Sequence, residues 1–314
     1  MSTCCASNAN NSILLYFQQI ELNILPADCT WLASIGSVSI GDKFPVRVMG
    51  IINVSSESFY KASVRTADKD IANAAREMQN SGADMIDIGA MSTAPYIDTL
   101  IPVEEETSRI TRAIRLVKEV CQLPVSADTV RAAVAEQAIK AGADCINDVT
   151  GLKYDAKMAS VVARSGRALI AGAYSQRVST GKMSGTLKAL AETLLIAKQA
   201  RVQESKIIVD PSIGFFREQG RNSFFTKMTD IPWYIRDIEV LSGLGSLKKL
   251  SKPICISASR KSFIGHLLGL DRAEDRLVPS IVCETIATIN GANIIRTHNV
   301  KETVQALTML QLLC

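Results

Sequence analysis

Short apolar, β-branched runs alternate with longer amphipathic stretches over most of this chain, and several of the runs are entered by one repeated device. A helical stretch ends, a glycine and an alanine follow, and a buried run begins: Gly82-Ala-Asp84, Gly142-Ala-Asp144 and Gly291-Ala-Asn293. A glycine directly after a helix suits a left-handed cap. Near-continuous apolar strands separated by helices predict a parallel sheet covered by helices. The runs Val46–Asn53, Met85–Ile88, Leu123–Asp128, Gly142–Asn147, Arg167–Ala171, Lys206–Asp210, Pro253–Ile256 and Gly291–Arg296 make eight such units. Eight parallel strands close naturally into a (β/α)₈ (TIM) barrel. A doubly wound sheet is the alternative, but it normally carries a glycine-rich loop after its first strand. Here the first strand runs into Asn53-Val-Ser-Ser-Glu57.

Helices are predicted over about Thr66–Gln79, Pro102–Cys121 and Arg131–Lys140. Residues 1–30 read as an N-terminal tail or extension, and 31–314 as a single barrel domain. Within the latter, Trp31–Ile40 has a strand–turn–strand pattern that could plug the bottom of the barrel. The segments Val54–Thr66, Gly89–Pro102 and Phe215–Ile231 are longer than usual connections between a strand and its helix, which makes them candidate mobile loops.

Bulk properties narrow the function classes. The 314 residues carry a net charge of +4, with 47% hydrophobic and 21% charged residues, a globular balance. Lysines and arginines are scattered rather than massed on one face, which argues against a nucleic-acid partner. No run approaches a membrane span, and no basic region precedes the short apolar stretch at Ile13–Phe17, so a cytoplasmic location is expected. The eight cysteines show no zinc spacing or disulfide framework. Cys145 and Cys255 lie inside apolar runs and read as small buried hydrophobes.

Polar residues gather where the predicted strands end: Asn53, Asp87, Asp128, Asn147, Asp148, Asp210, Arg260, Lys261, Arg296 and His298. In a barrel of this type the C-terminal rim builds the site. Asp128, Asn147 and Asp210 could accept hydrogen bonds from a ring rich in N–H donors, such as an amino-pterin; the alternative is that they cap helices or anchor loops. Asp87 is placed to orient its neighbouring loop. Arg260, Lys261, Arg296 and His298 follow the last two strands, where barrels often bind phosphate, and their donors suit a pyrophosphate. Asn299 and Glu302 match a capping box for the last helix. His266 sits in a helical segment and is a weaker candidate.

The motifs go beyond fold logic. Val48-Met-Gly-Ile-Ile-Asn-Val54 with Glu57-Ser-Phe59, Gly82-Ala-Asp-Met-Ile-Asp-Ile-Gly89 with Ser92-Thr93 and Pro95, and Ser126-Ala-Asp-Thr129 come first. Gly142–Val149, Asp210-Pro-Ser-Ile-Gly-Phe215, Ser259-Arg-Lys-Ser-Phe-Ile-Gly265 and Arg296-Thr-His-Asn-Val300 follow. In this order they resemble the dihydropteroate synthase family of pterin-binding enzymes. The resemblance implies a transferase that joins a dihydropterin methyl pyrophosphate to p-aminobenzoate or a larger aryl amine and releases pyrophosphate. It implies that Asp128, Asn147, Asp210 and Lys261 hold the pterin. Asn53, Arg296 and His298 would hold the pyrophosphate, with Mg²⁺ near Asn53. Thr93, Pro95, Phe215, Lys261 and Ser262 would shape the aryl-amine side, and Lys261, Arg296 and His298 would form the catalytic set. A homodimer is also possible.

Several positions depart from the family pattern. Ala94 stands where an arginine is usual, and Met91 where a glutamate is usual. Tyr60-Lys-Ala-Ser63, Ala171-Gly-Ala-Tyr174 and Phe216-Arg217 replace an acidic-glycine stretch, a Met-His-Met-Gln segment and a glycine-lysine pair. These changes fall on loops that would order the amine, so an altered acceptor fits, for example an aryl amine bearing a ribosyl phosphate as in archaeal tetrahydromethanopterin-type pathways. The competing functions are a methyl-tetrahydropterin-dependent methyltransferase and a pterin-binding protein without catalysis, the second favoured by Ala94.

Overall fold

The computed structural model describes residues 32–55, 64–97 and 100–313. The N-terminal stretch 1–30, the motif residues Glu57–Phe59 and the departure at Tyr60–Ser63 lie outside them. A hairpin comes first, β1 (Leu32–Ile35) and β2 (Val38–Gly41). The barrel strands are β3 (Arg47–Asn53), β4 (Met85–Gly89), β5 (Val125–Asp128), β6 (Cys145–Asp148), β7 (Ala168–Gly172), β8 (Ile207–Asp210), β11 (Cys255–Ile256) and β12 (Ile294–Thr297). They form one eight-stranded sheet in the order β11-β12-β3-β4-β5-β6-β7-β8. All pairings in it are parallel, and a parallel bridge between Val209 and Ile254 joins its two edges. The expected (β/α)₈ barrel is the observed fold.

Between the strands run α1 (Asp68–Asn80), α2 (Val103–Val120), α3 (Ala132–Ala141), α4 (Met158–Ser165), α5 (Met183–Gln199), α6 (Trp233–Ser242), α7 (Ser262–Leu268), α8 (Leu277–Ile289) and α9 (Val300–Leu313). The predicted helices start and stop within about two residues of these, the usual uncertainty of frayed ends. Gly142 closes α3 at φ +113, and Gly291 follows α8 at φ +102, so the repeated glycine does serve a left-handed turn.

Alternation along each strand explains the layers. Ile86, Ile88, Val125, Ala127, Ile146, Leu169 and Ala171 point outward and pack on α1 to α4. Val48, Val209, Ile256 and Ile295 pack outward on the second half of the helix ring. Inward-facing Met49, Met85, Cys145, Ile170, Ile208, Cys255 and Ile294 form the lowest layer of the interior, closed from below by Ala33, Ile35 and Ile40 of the hairpin. Each fully buried aliphatic side chain contributes about 1.5–3 kcal/mol. The hairpin therefore acts as the predicted plug, with Lys206 Nζ donating to Ser34 Oγ at 2.8 Å to fix it from the side. Above the apolar layer the inward positions turn polar, and there the site begins.

The segment Phe215–Ile231 is more ordered than a free loop. It contains a short parallel pair, β9 (Phe216–Arg217) with β10 (Thr226–Lys227), and Ser175 N donates to Thr226 Oγ1 at 2.8 Å. Among the described residues no helix is long and apolar enough to cross a membrane.

Candidate active site

An open cleft of about 930 Å³ lies at the C-terminal mouth of the barrel. Asn53, Thr93, Asp128, Asn147, Asp210, Phe215, Lys261, Ser262, Arg296 and His298 all border it. The structure thus brings these ten residues to one place, because each ends a strand or follows one, whereas Asp87, Asp148 and Arg260 do not border the cleft.

The floor is a charge cluster. Arg296 Nε and Nη2 lie 2.7 and 2.6 Å from Asp87 Oδ2, Nη2 also reaches Asp128 Oδ2 at 2.8 Å, and Nη1 donates to Ser257 Oγ at 3.3 Å. Asn147 Nδ2 donates to the same Asp87 oxygen at 3.2 Å. Asp87 is fully buried, and its Oδ1 has no partner among the described residues. Asp87 therefore anchors Arg296 inside the barrel instead of orienting a loop. Arg296 thus gives its guanidinium to both floor carboxylates and to Ser257 while bordering the cleft. Burial, with the charge of Asp87 adding to it, raises the pKa of the Asp128 carboxyl, while Arg296 opposes the rise. Burial likewise raises that of Asp210.

Asp210 is positioned by the turn that follows β8. Its Oδ1 accepts from Ser212 N at 2.6 Å, and Ser212 sits at φ +57, a left-handed conformation that a serine adopts only when held. A buried pair from α6 holds it. Arg236 donates to the carbonyls of Pro211 and Ser212 at 2.6 and 3.0 Å, and Asp237 Oδ1 accepts from Gly214 N at 3.0 Å. Sequence reasoning missed this pair, whose only signal was two charges in an otherwise apolar helical face.

The cations sort differently from the sequence reading. Lys261 borders the cleft with its ammonium 4.6 Å from the centre of the Phe215 ring. Burial and then the charge of Arg296 push its pKa down to about 8. Burial and the charges of Arg296, Arg260 and Lys261 hold His298 well below the ordinary histidine range, so its imidazole is neutral near pH 7. Ser259 lies under it, with Oγ 3.3 Å from Nδ1. Arg260 does not join the anion site. At φ +56 its side chain turns away, donating to the carbonyls of Ala273 and Glu274 and to Asn299 Oδ1. Asn299 directs its side chain to Arg260 and Ser259, the contacts found in place of the expected capping box. His266 packs against Tyr234 and Trp233, with ring centres 4.2 and 5.4 Å apart. Ser257 and Ser259 were also missed, although their alternation with Cys255 was a legible period-two signal pointing inward.

At the rim, the departures from the family pattern that fall among the described residues meet in one segment. Met91 packs with Val130 and Phe224. Asn222 Nδ2 donates to the Ala94 carbonyl at 2.7 Å, and Arg221 N to that of Pro95 at 2.6 Å. Tyr174 Oη donates to Ser223 O at 2.8 Å. Arg217 lies in the same segment, its guanidinium 3.6 Å from the centre of the Trp233 indole and 5.8 Å from that of the Tyr96 ring. The loop after β4 and the segment after β8 thus form a single joined wall.

A barrel mouth with this division of acceptors and cations defines the class, and residues 49–298 match the family described as pterin binding enzyme. The chain is 35% identical to the dihydropteroate synthase of Clostridium beijerinckii over 85% of its own length and 93% of the relative's. It is 35% identical to that of Bacillus subtilis, covering 84% and 87%. Among solved structures, the Clostridium difficile dihydropteroate synthase determined with pteroic acid aligns at a TM-score of 0.73 and 31% identity, over 86% of this chain and 97% of that one. The Xanthomonas albilineans enzyme with 4-aminobenzoic acid aligns at 0.75 and 27%, over 90% and 98%. The chain belongs to the dihydropteroate synthase family.

Proposed function

We propose that the protein condenses 6-hydroxymethyl-dihydropterin pyrophosphate with p-aminobenzoate or a larger aryl amine and releases pyrophosphate. The observation that carries this reading is the single cleft in which Asp128, Asn147 and Asp210 face Lys261, Arg296 and His298. The carboxylates and the amide accept from the N–H edge of the pterin. Lys261 and Arg296 supply positive charge, and the neutral His298 a ring nitrogen, toward the group that departs. The amine nitrogen forms a bond to the methylene carbon of the pterin as that carbon's bond to the pyrophosphate oxygen breaks, and the ammonium so formed gives its proton to water. No covalent protein intermediate is needed; the residues align the partners and stabilise developing charge.

A magnesium ion is part of the proposal. Among the described residues no group of three or more His, Cys, Asp or Glu could hold a metal. Magnesium on a phosphate substrate needs only one or two protein oxygens, and the Asn53 amide at the cleft fits that role. When bound, the ion would neutralise pyrophosphate charge. The methyl-transfer alternative would release no pyrophosphate, and the synthases matched above favour the condensation. A cytoplasmic setting and a homodimer complete the reading. For the latter, Val278, Val282, Ile286 and Ile289 make an exposed apolar stripe along α8.

The test is a turnover assay with pterin pyrophosphate, Mg²⁺ and a panel of aryl amines, following pyrophosphate release. Asp210→Asn should weaken pterin binding by about ten- to a hundredfold, the loss expected for a charged hydrogen-bond partner, while the variant stays folded. Unchanged pterin affinity in calorimetry would remove the ring pocket from the argument.

A further inference from the structure

The rim holds a cation that the proposed chemistry has not used. Arg217 is 8% exposed and borders the cleft beside Thr93, Tyr96 and Ser262. Its Nε donates to the Gly214 carbonyl at 3.1 Å and its Nη2 to Ser262 Oγ at 2.6 Å. Its Nη1 has no hydrogen-bond partner among the described residues, and no carboxylate there forms an ion pair with it. The Trp233 indole, 3.6 Å below, fixes the plane of the guanidinium. Burial lowers the Arg217 pKa, and the charge of Asp237, which makes no ion pair with it, offsets this only in part; a buried cation without a direct anionic partner is costly to hold. The cost is offset when a ligand brings the anion, and the planar fork of a guanidinium matches a carboxylate or phosphate.

The neighbourhood points to which ligand. Arg217 borders the cleft beside Phe215 and Ser262, where the aryl amine is expected, and makes no hydrogen bond or ion pair to Asp87, Arg296 or Asp128. Across from it, the loop after β4 carries Ala94 where family members carry arginine. That loop is tied to the segment bearing Arg217 through Asn222, and Tyr96 turns its ring toward the guanidinium. One loop has lost its positive charge, while the segment tied to it keeps one, as an arginine where a lysine is usual.

Building on the condensation proposed above, we infer that Arg217, with Ser262, binds the anionic group that the aryl amine carries opposite its amino nitrogen. Where Ala94 leaves no loop arginine, Arg217 thereby offers a planar fork in place of the usual lysine and selects acidic over neutral acceptors. The anion recognised is a carboxylate or a phosphate.

The experiment measures steady-state turnover of p-aminobenzoate, of its neutral isostere 4-aminobenzamide and of 4-aminophenyl phosphate, with saturating pterin pyrophosphate. The wild-type protein should prefer the acidic amines, and the better of the two identifies the anion. Arg217→Gln should raise KM for the preferred acid by about ten- to a hundredfold, leave its kcat nearly unchanged, and leave 4-aminobenzamide untouched. Arg217→Lys, which keeps the charge, should recover part of the preference. If Arg217→Gln keeps the wild-type ratio between acid and amide, or slows all three amines equally, Arg217 only supports the wall and the inference falls. No turnover by the wild type with any amine would fail the condensation reading instead. Calorimetry of the two acids on protein loaded with pterin and pyrophosphate then decides the Arg217 assignment: weaker acid binding in Arg217→Gln upholds it, and equal binding overturns it.

Discussion

The floor of the cleft and its rim are built from opposite materials. Floor residues project from barrel strands whose register fixes them to one another: Asp87 pairs across the sheet with Ser126, and Asp128 with Asn147. Arg296 then ties β12 to both β4 and β5 through carboxylates. The rim consists of loop segments that hold each other by backbone carbonyls and a small apolar cluster. The floor keeps the family's residues, whereas the rim has exchanged several together. A strand-borne residue has one direction to point and one neighbour to meet, so it changes alone or not at all. Two loops that pack on each other can change as a pair.

The largest test of that contrast lies in the floor. Arg296→Met leaves the fully buried Asp87 without its cation, and breaking such a pair costs on the order of 3–5 kcal/mol. Urea unfolding should show that loss, and adding Asp87→Asn should restore part of it. An Arg296→Met variant as stable as the wild type would show that the floor is not held by charge pairing, and the distinction from the rim would collapse.

A smaller effect is expected at the rim. Met91→Glu restores the residue usual in the family, but here it sets a carboxylate against Val130 and Phe224. An unsatisfied buried polar group costs about 1–3 kcal/mol, more when charged. The melting temperature should fall and KM for the amine should rise, while calorimetric affinity for the pterin alcohol stays constant. A stable Met91→Glu with normal amine kinetics would mean that the departures are independent of each other.

The finest test uses pH to separate the two regions. The Lys261 pKa is lowered to about 8 by burial and by Arg296. Below that value the ammonium is charged; as pH rises through it the charge is lost. Affinity for pterin pyrophosphate should therefore decline from about pH 7 to about pH 9, and affinity for the uncharged pterin alcohol should decline less. Lys261→Gln should flatten the difference. A pyrophosphate affinity independent of pH over this range would remove Lys261 from the anion side.

Much of this was legible because it depends on periodicity. Strand–helix alternation gave the barrel, the hairpin at Trp31–Ile40 gave its plug, and polar residues closing apolar runs gave the floor. What escaped depends on geometry that no spacing encodes. Arg260 and Lys261 are adjacent and equally basic, yet a left-handed backbone at Arg260 sends one into a structural network and leaves the other at the cleft. Arg296 finds Asp87 only because the barrel closes. Met91 and Phe224, or Ala94 and Asn222, show nothing in sequence of the contact that joins them. The departures could be seen one by one, but not that they were neighbours.

The hairpin under the barrel has a consequence for traffic. With Ala33, Ile35 and Ile40 filling the lower end, the interior is a cup with a single lip. With the amine at the rim, as proposed above, whatever reaches the carboxylates at the bottom must pass it. An amine that arrives first stands in the doorway, and the pterin waits outside. Loading therefore runs from the bottom up, and excess amine should slow the reaction by blocking entry, although it never touches the pterin's own contacts.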